Sequence, residues 1–220
     1  MMDQSSAADT VEKFSPAAAA VLVVDVQNDF CHPDGIMAKR GFDVSGLPDT
    51  VARIQAFVAA ARRHRVPVIW LRTTHDETTN TDVWLARHGT TLRPTGPPPS
   101  NCVPGTWGAD FWEVAPAPGE PVVTKHRYSG FSGTSLDRVL RALGRVSLLI
   151  TGVATDACVE STLRDGFVHD YHVNLVADCC AAYTAERHEV TVRAVRNLFG
   201  LTPGSDEVIA QWEREAAAAT

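Results

Sequence analysis

The sequence predicts a three-layer α/β/α domain built on a mostly parallel, doubly wound sheet. Short, wholly apolar runs suit strands buried on both faces, and segments of helical periodicity alternate with them. Reactive side chains stand at the ends of several of these runs, where parallel α/β sheets bind ligands.

Residues 1–16 are polar and read as a terminal tail, leaving residues 17–220 as a single domain. Residues 20–26 (AVLVVDV) form a continuous apolar run short enough for a buried strand. Val51, Ile54, Val58 and Ala61 recur at helical spacing within 47–63, and 66–71 (VPVIWL) reads as a second strand with Pro67 near its start. From residue 72 to 119 the pattern dissolves into Thr, Gly and Pro, including Pro97, Pro98 and Pro99. A loop of that length is commonly functional, so the expectation is a lid or a partner contact. Alternation then resumes: strand 121–124 ending at Lys125, helix 134–143 stopped by Gly144, strand 147–151, helix 156–169, strand 172–177, helix 185–199 closed by Gly200, and a last helix 206–215. Strands joined through helices imply right-handed crossovers and a sheet covered on both faces.

Composition narrows the function classes. A chain of 220 residues with 45% hydrophobic and 21% charged residues is an ordinary globular composition. A net charge of -6 and a pI near 5.7 argue against nucleic acid or an anionic membrane as partner, since both call for a basic face. The longest apolar run is far shorter than the ~20 residues a membrane span needs, and it lacks the flanks of a signal peptide. Five cysteines, with no C-x-x-C pair and with Cys179 next to Cys180, suit neither a disulfide scaffold nor a zinc corner. A reducing cytoplasm is the expected location.

Three reactive residues stand at strand ends: Asp25 after AVLVV, Lys125 after PVVT, and Cys158 just past SLLITGVATDA. They meet only if the sheet sets their strands close together. Each has a bland reading when taken alone: a buried Cys is usually inert, a strand-end Asp often caps a turn, and a Lys is usually solvated. Their joint placement favours chemistry. A thiol in the first turn of a helix, beside an ammonium, is expected to ionise below its ordinary ~8.5. Cys31, Cys102, Cys179 and Cys180 have no comparable surroundings and are read as packing residues.

These same residues lie in recognisable motifs. VLVVDVQNDF (21–30), KHRYSGFSGTSL (125–136) and TGVATDACVESTLRDGF (151–167) resemble, in order and spacing, segments of the isochorismatase-like cysteine hydrolases. The resemblance runs from about residue 17 to 200, and the pairing of KxRYSGF with CVESTLRDGF is most similar to ureidoacrylate amidohydrolases, with biuret and N-carbamoyl amide hydrolases as cousins. It implies an Asp25–Lys125–Cys158 triad, an oxyanion hole from the backbone N–H groups of Ala154 and Cys158, and a cis peptide between Val153 and Ala154. It further implies a small amide or ureide substrate, cleavage through a thioester, no cofactor, and a homodimer or homotetramer. Nicotinamidases of the superfamily hold a metal through an Asp-x-His pair after the second strand. Residues 72–79 (RTTHDETT) offer only His75, so no catalytic metal is expected. Ureidoacrylate enzymes carry Asn and Trp near the positions of Thr73 and His75, which leaves the substrate open.

Expected pocket residues are Phe30, Tyr128 and Phe131 after the triad strands, and Arg72, Thr73 and His75 at the end of the second. Arg72 either clamps a substrate carboxylate or sits at the surface. Tyr128 and Phe131 are pocket walls or core aromatics, and Trp107 is a candidate to close the site. Among competing functions, the second enzymatic reading is a vinyl-ether hydrolase of the isochorismatase type, which needs no thiol, and a nicotinamidase- or maleamate-type amidase is the other alternative. A nucleotide-binding domain lacks its G-x-G-x-x-G or P-loop here. A catalytically silent interaction protein would have no use for an intact triad.

Overall fold

A computed structural model describes residues 13–86 and 101–219. Its sheet consists of β1 (Ala19–Val24), β2 (Val68–Thr73), β3 (Val122–Lys125), β4 (Ser147–Val153) and β5 (His172–Ala181), in the order β3-β2-β1-β4-β5. Every pairing is parallel, so the predicted three-layer α/β architecture is present. All six residues of the central strand β1 are buried, as its unbroken AAVLVV sequence requires of a strand covered on both faces.

The covering elements are α1 (Asn28–Cys31), α2 (Ile36–Lys39), α3 (Leu47–Arg63), α4 (Asp82–Ala86), α5 (Leu136–Ala142), α6 (Glu160–Val168), α7 (Ala185–Leu198) and α8 (Ser205–Ala218). Side-chain alternation along the strands divides the core in two. Val21, Val23, Val68 and Trp70 pack against Ile54 and Phe57 of α3 and Val208 and Trp212 of α8. Leu22, Val24, Ile69, Leu71 and Val123 pack on the other face against Leu136 and Leu140 of α5, Leu163 of α6 and Val195 of α7. The apolar stripe of α3 is the one its spacing predicts, and Arg62 and Arg63 in its last turn complement the negative end of the helix dipole. Thr184 caps α7 by accepting from the Arg187 N–H at 3.3 Å.

Several boundaries differ from expectation for visible reasons. Strand β1 stops at Val24 rather than residue 26, because Asp25 turns to a left-handed φ of 52°. Strand β2 runs on to Thr73, which pairs with Lys125 of β3. Strand β5 runs to Ala181, because the register with β4 shifts after Ile150 and pairing resumes at Gly152 with Cys180. Helices α1, α2 and α4, of four or five residues, are too short to show a period.

The polar terminus and the long loop also need correction. Residues 1–12 lie outside the described residues, but Phe14 is 2% exposed and its carbonyl accepts from Trp212 Nε1 at 2.7 Å. The packed body therefore begins before residue 17. Within the expected loop 72–119 the described part after residue 101 is packed: Cys102, Ala109 and Val114 are buried, and Phe111 meets the Trp70 ring edge-on at 5.3 Å. Residues 87–100, the remaining part of the predicted lid, lie outside the described residues.

Candidate active site

The chain runs from β1 to β2 and β3 on one side, then crosses to β4 and β5 on the other. This reversal opens a crevice at the carboxyl ends of β1 and β4, the usual ligand position in an open parallel sheet. Asp25 follows β1 directly, and Cys158 follows β4 by five residues.

Lys125 ends β3, two strand spacings from β1, or about 9–10 Å of sheet. Its four-carbon stem spans β2 and brings Nζ to 2.6 Å from Asp25 Oδ2, with both side chains 0% exposed. Thr73, on the intervening strand, receives Lys125 Nζ at 2.7 Å and donates to Asp25 Oδ1 at 3.0 Å. The third ammonium proton goes to the carbonyl of Arg127 at 3.1 Å. All three Lys125 donors thus have acceptors, which a buried ammonium requires.

Gln27 holds this arrangement from behind. Its Oε1 accepts from the Thr73 N–H at 2.7 Å, while Nε2 donates to the carbonyls of Thr73 at 2.9 Å and Ala109 at 2.8 Å. Its neighbours pin the segment that follows residue 101. Asn28 Nδ2 donates to the Trp107 carbonyl at 2.7 Å, and Asp29 Oδ2 accepts from the Cys102 N–H at 2.6 Å. Gly108 lies against the Asp29 carboxylate, which leaves no room for a Cβ.

Cys158 arrives on a different device. Gly152, at φ 116°, lies so close to the Val24 carbonyl that only glycine fits, and the next peptide, Val153–Ala154, is cis. Residues Thr155–Val159 then form a single π-helical turn rather than the predicted first turn of an α-helix. The Ala154 carbonyl accepts from Ala157 N–H at 3.1 Å and Val159 N–H at 3.2 Å, passing over the N–H of Cys158.

The Cys158 thiol interacts with both the Asp25 carboxylate and the Lys125 ammonium. It retains 8% exposure while its two partners retain none. Burial pushes the thiol well above its ordinary range, the Asp25 charge pushes the same way, and Lys125 opposes both without overcoming them. Burial and the Asp25 charge therefore oppose the ionisation that Lys125 favours. Burial alone would depress Lys125, but its interactions with Asp25 and then Cys158 hold its ammonium above the usual lysine range. Burial also raises Cys31 and Cys102, and pushes Cys179 up to about 12, in keeping with packing roles.

The predicted pocket residues divide. His75 is buried with its ring tilted on Trp84 at 5.4 Å, and Trp84 meets Tyr128 at 4.8 Å. The Arg127 guanidinium lies 5.0 Å over Trp84, so these side chains pack as one cluster. Thr73 is within the Asp25–Lys125 pair itself. Arg72 is not brought to the site: alternation turns it to the opposite sheet face, where it is exposed and donates to Thr124 Oγ1 at 3.2 Å. Phe131 is a core aromatic, stacked on His169 at 5.0 Å past the end of α6 remote from Cys158. Phe30 is half-buried in α1, and its carbonyl accepts from the Tyr183 hydroxyl at 3.2 Å. Trp107 is 49% exposed and edges against His32 at 5.0 Å.

Sequence reasoning missed Gln27, Trp84 and Arg127. The first stands inside the motif that supplied Asp25, and a glutamine three residues past a buried strand was the available signal. Among the described residues, no three His, Cys, Asp or Glu side chains converge as a metal-holding group, and no helix is long and apolar enough to cross a membrane.

A doubly wound parallel sheet with a buried acid, a buried amine and a thiol that engages both at its switch point defines an α/β protein of hydrolase type. The Isochorismatase domain model matches residues 19–206, and the chain belongs to that family. It is 36% identical over 195 residues to the ureidoacrylate amidohydrolase RutB of Methylobacterium radiotolerans, covering 84% of this chain and 76% of the relative. A cysteine hydrolase from Pseudomonas syringae pv. phaseolicola 1448A superimposes with a TM-score of 0.76 at 28% identity, over 90% of this chain and 94% of the other. N-carbamoylsarcosine amidase from Thermoplasma acidophilum follows at 0.68 and 27% identity, over 86% and 97%.

Proposed function

We propose that the chain is a single-domain cysteine amidohydrolase cleaving a C–N bond of a small linear amide or ureide. Asp25 is the proton carrier, Lys125 the cation and Cys158 the nucleophile. The observation that carries this reading is the burial of Asp25 and Lys125 in contact at 2.6 Å, with the more accessible Cys158 thiol engaging both. The substrate class is supported by the ureidoacrylate and N-carbamoylsarcosine enzymes to which the chain is similar.

In the first half-reaction Cys158 gives its proton to Asp25 as sulfur attacks the carbonyl carbon. The tetrahedral oxyanion is received by the N–H groups of Ala154 and Cys158, where one donor is worth about 3–4 kcal/mol. The C–N bond breaks as Asp25 returns the proton to the leaving nitrogen, so an amine or ammonia departs and a thioester, or carbamoyl thioester, remains. Water then gives a proton to Asp25 and attacks the thioester. The thiol re-forms with that proton, and the acid or carbamate leaves. Tyr128, Trp84 and His75 supply the wall against which a planar substrate lies. The reading also assigns the chain to a reducing compartment, in keeping with five buried free cysteines, and to a homo-oligomer, for which exposed Phe167, Val168 and Leu198 offer apolar surface.

An ammonia-release screen over ureidoacrylate, biuret, N-carbamoyl amino acids, maleamate and nicotinamide tests the reaction. The expected result is turnover of a linear ureide or amide that Cys158→Ala abolishes. Activity surviving in Cys158→Ala, or a strong preference for nicotinamide, would overturn it.

A further inference from the structure

Thr73 occupies a position in this site that a count of ionisable residues does not reveal. Its hydroxyl has one proton and two acceptor lone pairs. Lys125 Nζ, 2.7 Å away, can only donate, so Thr73 Oγ1 accepts there. The single Thr73 proton is then directed to Asp25 Oδ1 at 3.0 Å. The direction of both bonds follows from the chemistry of the groups alone. Thr73 is buried, and its backbone is gripped on both sides by the Gln27 amide, so the hydroxyl is delivered by a fixed strand end.

We propose that Thr73 is a positioning residue for the proton transfer and not the substrate contact that its place at a strand end suggests. Its hydroxyl pins Asp25 Oδ1 while Lys125 faces Oδ2 at 2.6 Å, and the two together fix the rotation of the carboxylate. The inference rests on the reading of Asp25 as proton carrier. It deepens that reading by assigning the group that aims Asp25.

The pH behaviour follows from the surroundings of the carboxylate. Lys125 faces it from β3, Cys158 from the π-turn, Cys31 from α1, Cys102 from the segment after residue 101, and Tyr183 from beyond β5. Burial raises the three thiols and the phenol, which favours their neutral forms, and the partners of Lys125 favour its ammonium. A hydroxyl donor favours the ionised carboxylate, and its loss therefore favours the neutral acid.

The experiment compares wild type, Thr73→Val and Thr73→Ser. Valine keeps the shape and loses the hydroxyl, and serine restores it. Carboxyl-labelled protein is followed by 13C NMR, with the Asp25 signal assigned by its absence in Asp25→Asn. The expected result is an upward shift of about one pH unit in Thr73→Val and reversal in Thr73→Ser. With ureidoacrylate as substrate, Thr73→Val lowers kcat about 10- to 100-fold with KM unchanged, and the acid limb of the kcat/KM profile moves with the NMR titration. An unmoved titration in Thr73→Val, or serine failing to restore it, overturns the proposal. A raised KM at unchanged kcat also overturns it, since that is the signature of a substrate contact. Full activity in Asp25→Asn would instead overturn the underlying assignment of the proton carrier.

Discussion

Asp25→Asn is the perturbation that questions the site most directly, because it removes a charge while keeping shape. The substitution leaves the Lys125 ammonium fully buried with Thr73 Oγ1, the Arg127 carbonyl and an amide oxygen as its acceptors. Breaking a buried ion pair by removing one partner costs about 3–5 kcal/mol. The surviving acceptors put this case at the lower end, about 3 kcal/mol. In a domain of this size each kcal/mol shifts Tm by about 2–4 °C, so Asp25→Asn should melt roughly 6–12 °C below wild type. Lys125→Met should cost a similar amount, since it leaves the buried carboxylate without its cation, held by the neutral Thr73 hydroxyl and Cys158 thiol. The double variant removes both charges together and should recover at least ~1.5 kcal/mol relative to the sum of the singles, a coupling within the range for residues in one network. Thermal and urea unfolding of the four proteins measures the cycle. Additivity within about 0.5 kcal/mol would show that the two groups do not share a dry site, and the site's electrostatics would need a different account.

Two further outcomes follow from the same geometry. Asp25→Asn removes the charge that, after burial, does most to hold the Cys158 thiol neutral, so iodoacetamide at pH 7.5 should modify Cys158 about tenfold faster than in wild type while turnover is lost. Peptide mapping by mass spectrometry reads this directly, and an unchanged rate would remove Asp25 as a cause of the raised thiol. Gly152→Ala puts a Cβ onto the Val24 carbonyl at a left-handed φ of 116°, and should cost at least about 2–3 kcal/mol in urea unfolding. A loss under ~0.5 kcal/mol, the range of an indifferent surface change, would mean that β1 and β4 do not approach as closely as described.

The architecture was legible because buried parallel strands announce themselves as apolar runs, and AAVLVV and SLLITGV are such runs. Asp25, Lys125 and Cys158 were legible through their motifs and strand-end positions, and the structure brings all three together. The substrate wall was less so. Whether a side chain at a strand end faces the site depends on its parity along the strand, and the predicted end of β2 was two residues short. Thr73 and Arg72 differ by one residue and consequently by one sheet face. Phe131 shows a second limit, since an aromatic six residues past a strand can turn into the pocket or back under the neighbouring helix, and composition does not distinguish the two. The docking of residues 101–112 depends on Gln27, Asn28 and Asp29 reaching 73 to 82 positions along the chain, which no local pattern carries.

Burial opposes the charged form of the Cys158 thiol. Lys125 as ammonium and Asp25 as carboxylate cancel, so a Cys158 thiol leaves the site with no net charge. Release of the thiol proton to solvent would place an extra negative charge in a poorly hydrated pocket, which desolvation opposes. Transfer of that proton to Asp25 leaves the net charge at zero, because the thiolate then pairs with Lys125 while the carboxyl becomes neutral. The nucleophile is therefore generated by an internal shift within one coupled set, and no single residue owns the titration. On this account Lys125 serves two anions in turn, the carboxylate at rest and the sulfur after transfer. Its all-donor head suits that task, because the same cation stabilises whichever partner holds the charge. The Thr73 hydroxyl has a matching role: it donates to Asp25 while the carboxylate is ionised, and it holds the acid in place once the proton has moved.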